Sequence, residues 1–139
     1  MNNALILDTG GWLLGLAGDA EYAEAMEDAT ELIVPGLVLA EVDYHLRRRR
    51  TEMRRLLESL HAQGYSYEPP TLEDLRRASE IDRKFASTEL GLVDATIATL
   101  AERLGVFRIL TTDSDFVSVR VGAGWRTALD LVVPPRSTR

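Results

Sequence analysis

Four acidic residues, Asp8, Glu41, Asp94 and Asp113, lie far apart in the sequence, yet each stands where an element begins or ends or along an apolar helix. The chemistry open to them is framed by their company: the chain has no cysteine and only 2 histidines, His45 and His61, so thiolate and histidine-driven nucleophilic catalysis have little to draw on. Hard divalent cations prefer oxygen ligands, and magnesium in phosphate chemistry is typically held by one or two carboxylates with waters and substrate oxygens. Ions held in this way stabilise charge on a scissile phosphate and acidify a bound water, driving in-line hydrolysis without a side-chain nucleophile.

Taken singly, each acid has an ordinary structural explanation. Asp94 falls in the first helical turn of the segment VDATIATLAERLG, where the positive end of a helix macrodipole favours an anion. Glu41 falls among Leu37, Val38, Leu39, Ala40 and Val42, as a helical acid facing water or an arginine would. Asp113 and Asp115, in TTDSDF, are both ordinary turn formers. Asp8 is harder to dismiss, because it closes the short apolar run ALIL, and an acid ending a buried parallel strand sits where sites gather.

The elements that must position these acids follow from apolar runs and punctuation. Residues 4–7 read as a buried strand ended by Asp8, with Thr9, Gly10 and Gly11 behind it. Helical pieces over 12–17 and 21–29 break near Gly18, and a second strand over 32–34 stops at Pro35. Leu39, Val42 and Leu46 have helical spacing, so one helix is expected over 36–50, carrying Glu41 and running into Arg47, Arg48, Arg49 and Arg50. Another amphipathic helix is expected over 52–63, then a third strand over 65–67.

Thr71 with Asp74 three residues on reads as a helix start, and Leu72, Leu75, Ala78, Ile81 and Phe85 as that helix's inner face. Val93, Ile97, Leu100 and Leu104 mark a further helix closed by Gly105, after which strands are expected over 107–110 and 125–133. Strands alternating with helices predict an α/β layer fold: a mostly parallel central sheet flanked by helices, in a single domain over 1–139.

Composition narrows the function classes. With 45% hydrophobic and 27% charged residues the chain is of ordinary globular make-up, and no segment approaches the roughly 20 apolar residues of a membrane span. The N-terminal segment lacks the basic region of a signal peptide, so a cytoplasmic protein without membrane attachment is expected. A formal net charge of −6 argues against nucleic-acid binding at first sight. Against that, the cations cluster at Arg47 to Arg50, and a divalent-metal site must itself be acidic.

The ordered set of motifs resembles a known family. A strand ending in Asp8-Thr9, a helix with Glu41, the block LGLVDATIATLAERLG with Asp94, and ILTTDSDF with Asp113 match the motifs of PIN-domain nucleases, most nearly the VapC-type toxins of bacterial toxin–antitoxin pairs. The resemblance spans nearly the whole chain. It implies a PIN-like three-layer fold, a Mg²⁺ or Mn²⁺ site, endonucleolytic cleavage of structured RNA, a homodimer, and inhibition by a cognate VapB-type antitoxin in the active-site groove. It also implies that Asp8, Glu41, Asp94 and Asp113 are the metal-site acids, with Thr9, Thr112 and Asp115 as auxiliaries near them. Gly10–Gly11 departs from the family pattern, in which a small polar and a bulkier residue are common.

For the arginine run three roles stand open: contact with RNA, contact with antitoxin acids, or simple solvation, with Arg47 pairing Asp43 one turn back. Tyr44 and Trp12 read as core or interface residues rather than base-stacking platforms. Two rival functions are a PIN-like fold kept only as a binding module, and a dimeric aspartic protease, since LDTG is also the motif of retroviral-type proteases. The second would require a nearly all-β chain, against several segments of helical period.

Overall fold

The computed structural model describes residues 3–62 and 64–135. Its first strand, β1 (Ala4–Leu7), is buried along its whole length, as expected of a strand covered on both faces of a parallel sheet. The chain then forms α1 (Thr9–Leu16), α2 (Ala20–Asp28), β2 (Glu31–Pro35), α3 (Gly36–His45), α4 (Arg50–Ser59) and β3 (Tyr65–Glu68). It continues through α5 (Leu72–Lys84), α6 (Gly91–Leu104), β4 (Arg108–Leu110), β5 (Arg120–Val121), β6 (Thr127–Ala128) and β7 (Asp130–Leu131).

Five strands make one parallel sheet in the order β3-β2-β1-β4-β7, with Ile6 opposite both Ile33 and Ile109. The order grows from β1 first toward β3 and then, on the other side, toward β4. Because crossover connections are right-handed, this reversal sends α5 and α6 to the face opposite the one covered by α1 to α4. The expected three-layer α/β architecture is what the chain adopts, and it is not the β fold that an LDTG protease would need. Among the described residues no helix is long and apolar enough to cross a membrane.

The reversal falls between β1 and β4, which places a switch point of the sheet directly above the ends of these strands. Leu7 pairs with Leu110, so the residues that follow, Asp8 and Thr111, leave the sheet side by side. Local signals end the elements as their chemistry requires. Thr71 and Asp74 cap α5 reciprocally, each side chain bonding the other's amide at 3.0 Å, and Gly105 closes α6 at φ +67°, a conformation that costs glycine little.

Four expectations need correction. The helix over 36–50 is two helices: α3 stops at His45, and residues 46–48 form a turn rather than a further helical stretch. The arginines explain the stop, since the Arg47 guanidinium donates to the Tyr44 carbonyl (2.9 Å) and that of Arg50 to the Leu46 carbonyl (3.4 Å). They thereby add side-chain donors to carbonyls that also accept the Arg47 and Arg49 amides of the turn, at 3.2 and 2.9 Å. The helix over 52–63 ends at Ser59, whose hydroxyl turns back to the Leu56 carbonyl, and Gln63 lies outside the described residues.

The inner face of α5 is rotated from the one expected. Asp74, Ala78 and Ile81 point inward, while Leu72 is 84% exposed. An arginine decides the rotation: Arg103 of α6 binds Asp74 at 3.0 Å, pulling that carboxylate rather than Leu72 toward the neighbouring helix. The strand over 125–133 is two short strands in different sheets, β6 pairing antiparallel with β5 and β7 closing the edge of the parallel sheet. Trp125 belongs to neither; it packs edge-on against Phe85 with the Arg77 guanidinium 4.4 Å from its ring centroid.

Candidate active site

Asp8 is fixed as soon as the chain leaves β1. Its backbone is extended, its carboxylate accepts the Thr9 amide at 2.8 Å as the N-cap of α1, and its own amide donates to the Leu110 carbonyl at 2.9 Å. Its second carboxylate oxygen accepts the Thr111 hydroxyl at 2.6 Å. Burial pushes the Asp8 carboxyl above the ordinary aspartate value, against the two hydrogen bonds that lower it, with the charges of Glu41 and Asp113 raising it further.

The glycine pair behind Asp8 is explained by the same junction. A side chain on Gly11 would run into the Leu110 carbonyl, and one on Gly10 into the Thr112 hydroxyl. The first turn of α1 thus lies flush on the end of β4. Thr112 serves that contact and is itself exposed, whereas Thr111, wholly buried, is the hydroxyl that reaches Asp8. The auxiliary expected at Thr112 is therefore one residue late. The strand register could have found it, because aligning LIL of residues 5–7 with RIL of residues 108–110 sets Asp8 beside Thr111.

Glu41 comes from the second turn of α3, which packs on α1. The Thr9 hydroxyl donates to its carboxylate at 2.6 Å, so Thr9 holds Asp8 through its amide and Glu41 through its side chain. Asp113 caps the short 3₁₀ turn over Ser114–Ser118 by accepting the Asp115 amide at 2.9 Å, while its own amide donates to the Thr111 hydroxyl at 2.9 Å. Thr111, 103 residues along the chain from Asp8, accordingly links that acid to Asp113. Asp115, also expected as an auxiliary, contributes its backbone amide to this arrangement.

Asp94, in the first turn of α6, completes the group. Burial, a hydrogen bond to Asp113, and the charges of Asp8, Asp113 and Glu41 push its carboxyl up to about 9. At neutral pH it keeps its proton, the usual outcome when like charges crowd a buried place. The helix dipole that would favour an anion there is outweighed. The structure thus brings together all four acids singled out in the sequence: Thr9 and Thr111 tie Asp8 to Glu41 and Asp113, and Asp94 joins through its hydrogen bond to Asp113.

Among the described residues no cation balances them. Among the described residues every ion pair involves other acids, and none reaches Asp8, Glu41, Asp94 or Asp113. Nor, among the described residues, do three histidine or acidic side chains already stand as a ready-made set of metal ligands. An all-oxygen donor set of this kind suits a hard cation that keeps several of its waters and takes one or two carboxylates.

The arginine run lies beyond the end of α3. Arg50 bridges Asp43 at 2.7 Å, the acid expected to pair with Arg47, and Arg49 lies 3.7 Å from Glu52. Arg47 instead stacks on Tyr44, 4.1 Å above the ring centroid. Tyr44 is 62% exposed, so unlike the fully buried Trp12 it is no core residue.

A family model described as PIN domain matches residues 5–122. The crystal structure of Mycobacterium tuberculosis VapC20, a sarcin-ricin loop cleaving toxin, superposes with a TM-score of 0.65 at 24% identity, covering 80% of this chain and 91% of that one. No curated protein matches the sequence.

Proposed function

The chain belongs to the PIN domain family, and from that premise we propose that it is a Mg²⁺- or Mn²⁺-dependent endoribonuclease, the toxin of a type II toxin–antitoxin pair. The observation that carries the proposal is the meeting of Asp8, Glu41, Asp94 and Asp113 with no cation of the chain, among the described residues, to balance them. Such a group is stable only when protonated, as Asp94 is, or when it receives positive charge from outside.

In this reading the four acids hold the divalent ion, which when bound stabilises negative charge on the scissile phosphate and activates the attacking water. The chain's own groups do the positioning. Thr9 and Thr111 donate hydrogen bonds to Glu41 and Asp8, restraining both carboxylates. Asp94 must release its proton as a cation is taken up, so uptake liberates acid and strengthens as pH rises toward 9.

The substrate in this proposal is structured cellular RNA, and the partners are a cognate VapB-type antitoxin and a second copy of the chain, all within the cytoplasm. An apolar cleft of about 670 Å³ between α1 and α4, with Leu13, Leu46 and Leu56 in its walls and Arg49 and Arg55 on its rim, fits an amphipathic, acid-bearing antitoxin segment. Replacing Arg48, Arg49 and Arg50 by glutamine should weaken RNA or antitoxin binding, more at moderate than at high salt.

The experiment is cleavage of total cellular RNA by antitoxin-free protein in EDTA, repeated after Mg²⁺ or Mn²⁺ is restored. Products are expected only with metal; strong cleavage in EDTA, or none with either ion, would sink the proposal.

A further inference from the structure

We infer that the exposed groove beside Glu41 is a stacking subsite for an unpaired nucleobase of the RNA, with Tyr44 as its platform and Arg47 as the cation that seats it; this rests on the nuclease reading above. The groove measures about 360 Å³, and its walls are Leu37, Ala40, Leu92 and Val93, with Glu41, Tyr44 and His45 completing the lining. Leu92 is 59% exposed and Tyr44 62% exposed, an apolar and aromatic surface left open to water at the edge of a carboxylate cluster. Glu41 belongs to both: it lines the groove and is bonded through Thr9 to Asp8. Whatever enters the groove therefore lies next to the reacting centre.

The charge and order of the groove favour a base over a protein side chain. Arg47 and Arg48 make no ion pair among the described residues, so the cations nearest Tyr44 remain available to a polyanion. Arg47 holds the ring before any ligand arrives, its guanidinium over one face and bonded to the Tyr44 carbonyl at 2.9 Å. A platform ordered in advance loses little freedom on binding. Aromatic rings with an adjacent arginine are the usual means of holding single-stranded bases whatever their identity, because every base has a π face. A helical protein segment is better served by the larger cleft between α1 and α4.

The test uses two fluorescent RNA octamers of equal charge, one of adenosines and one of abasic ribose phosphates, bound to the full chain in EDTA at low salt and read by anisotropy. Wild type is expected to prefer the adenosine octamer. Tyr44→Ala should lower that affinity about tenfold, the usual worth of one stacked base, and leave the abasic octamer unchanged. Tyr44→Leu, which keeps an apolar side chain but no flat face, should behave like alanine; Tyr44→Phe should retain the preference.

Equal losses on both octamers, no loss on either, or no preference in wild type would overturn the subsite. So would a Tyr44→Ala protein that binds RNA normally but no longer retains a protein partner. Adding Mn²⁺ to the same mixtures separates the two proposals. Cleavage without base discrimination removes only the subsite, and discrimination without cleavage removes only the nuclease reading.

Discussion

Two acid-rich regions of this molecule use the same side chains to opposite ends. Between α5 and α6, Arg77 grips Glu102 through two hydrogen bonds of 2.9 and 2.8 Å and also holds Glu80, while Arg103 binds Asp74 and Glu68. There the arginines hold the acids down: the Arg77 hydrogen bonds lower Glu102 and Glu80 despite some burial. Burial works against the charge of Asp74, but the Thr71 amide and Arg103 more than compensate. At the ends of β1 and β4 burial and mutual repulsion raise Asp8 and Asp94, and among the described residues no arginine or lysine pairs with them. The first region spends its acids on joining two helices, whereas among the described residues the second has no cation set against its acids.

The sharpest way to break this contrast is to neutralise one member of each group. Asp94→Asn should reduce RNA cleavage by about 10³-fold or more, matching the several kcal/mol of charge stabilisation a bound ion provides. The metal-free variant should nonetheless be as stable as wild type or more so, by about 1 kcal/mol, because a crowded carboxyl has been removed. Melting with and without Mn²⁺ checks this: wild type should gain stability with the ion and the variant less. A variant that melts far below wild type would make Asp94 a structural cap. Arg77→Ala should do the reverse, costing about 3 kcal/mol in urea unfolding, since it leaves the half-buried Glu102 without its guanidinium and uncovers Trp125. Its specific cleavage should hold as long as the chain is folded.

Titration sharpens the same comparison. Asp94 has a folded value near 9, far above 3.8, so its contribution is fully present below about pH 4 and is lost as pH climbs toward 9. Asp74, Glu80 and Glu102 are lowered, so theirs is present above the ordinary carboxylate range and is lost as pH falls through it. Metal-free protein should therefore lose stability on both sides of an optimum, and Asp94→Asn should flatten only the alkaline limb. The smallest effect distinguishes neighbours: Thr111→Val should weaken Mn²⁺ binding by about 10–100-fold by releasing Asp8. Thr112→Val, next to it but exposed, should change stability by less than about 0.5 kcal/mol. Isothermal titration of both variants decides whether the register, rather than proximity in sequence, selects the working hydroxyl.

What could be read from the sequence was whatever one segment decides alone. ALIL and RIL declare buried strands by composition, and each hands its C-terminal end to a residue with chemistry to offer. Thr71 with Asp74, and Gly105, mark helix ends through short-range hydrogen bonding and backbone freedom. What escaped was settled by a partner from elsewhere in the chain. Arg103 turns α5 so that Asp74 replaces Leu72 inside, and the pairing of Leu7 with Leu110 promotes Thr111 over Thr112. The arginines after α3 look like more helix until their side chains are seen folding back on its last carbonyls. The acid quartet was legible because its four members sit at local landmarks, and their common destination follows from the switch point of a parallel sheet.

The glycine pair that seats α1 on the end of β4 has a consequence for how the molecule comes into being. Asp8 and Thr111 touch across 103 residues, and pairings of such long range are slow to form because a large loop must close before they reward it. A chain is made from its N-terminus at about 5–20 residues per second, so Asp8 and Glu41 wait several seconds for Asp94, β4 and Asp113 to appear. Half-synthesised chains hold half a cluster and no junction to seat it. The complete site therefore comes into being only once nearly the whole domain has emerged.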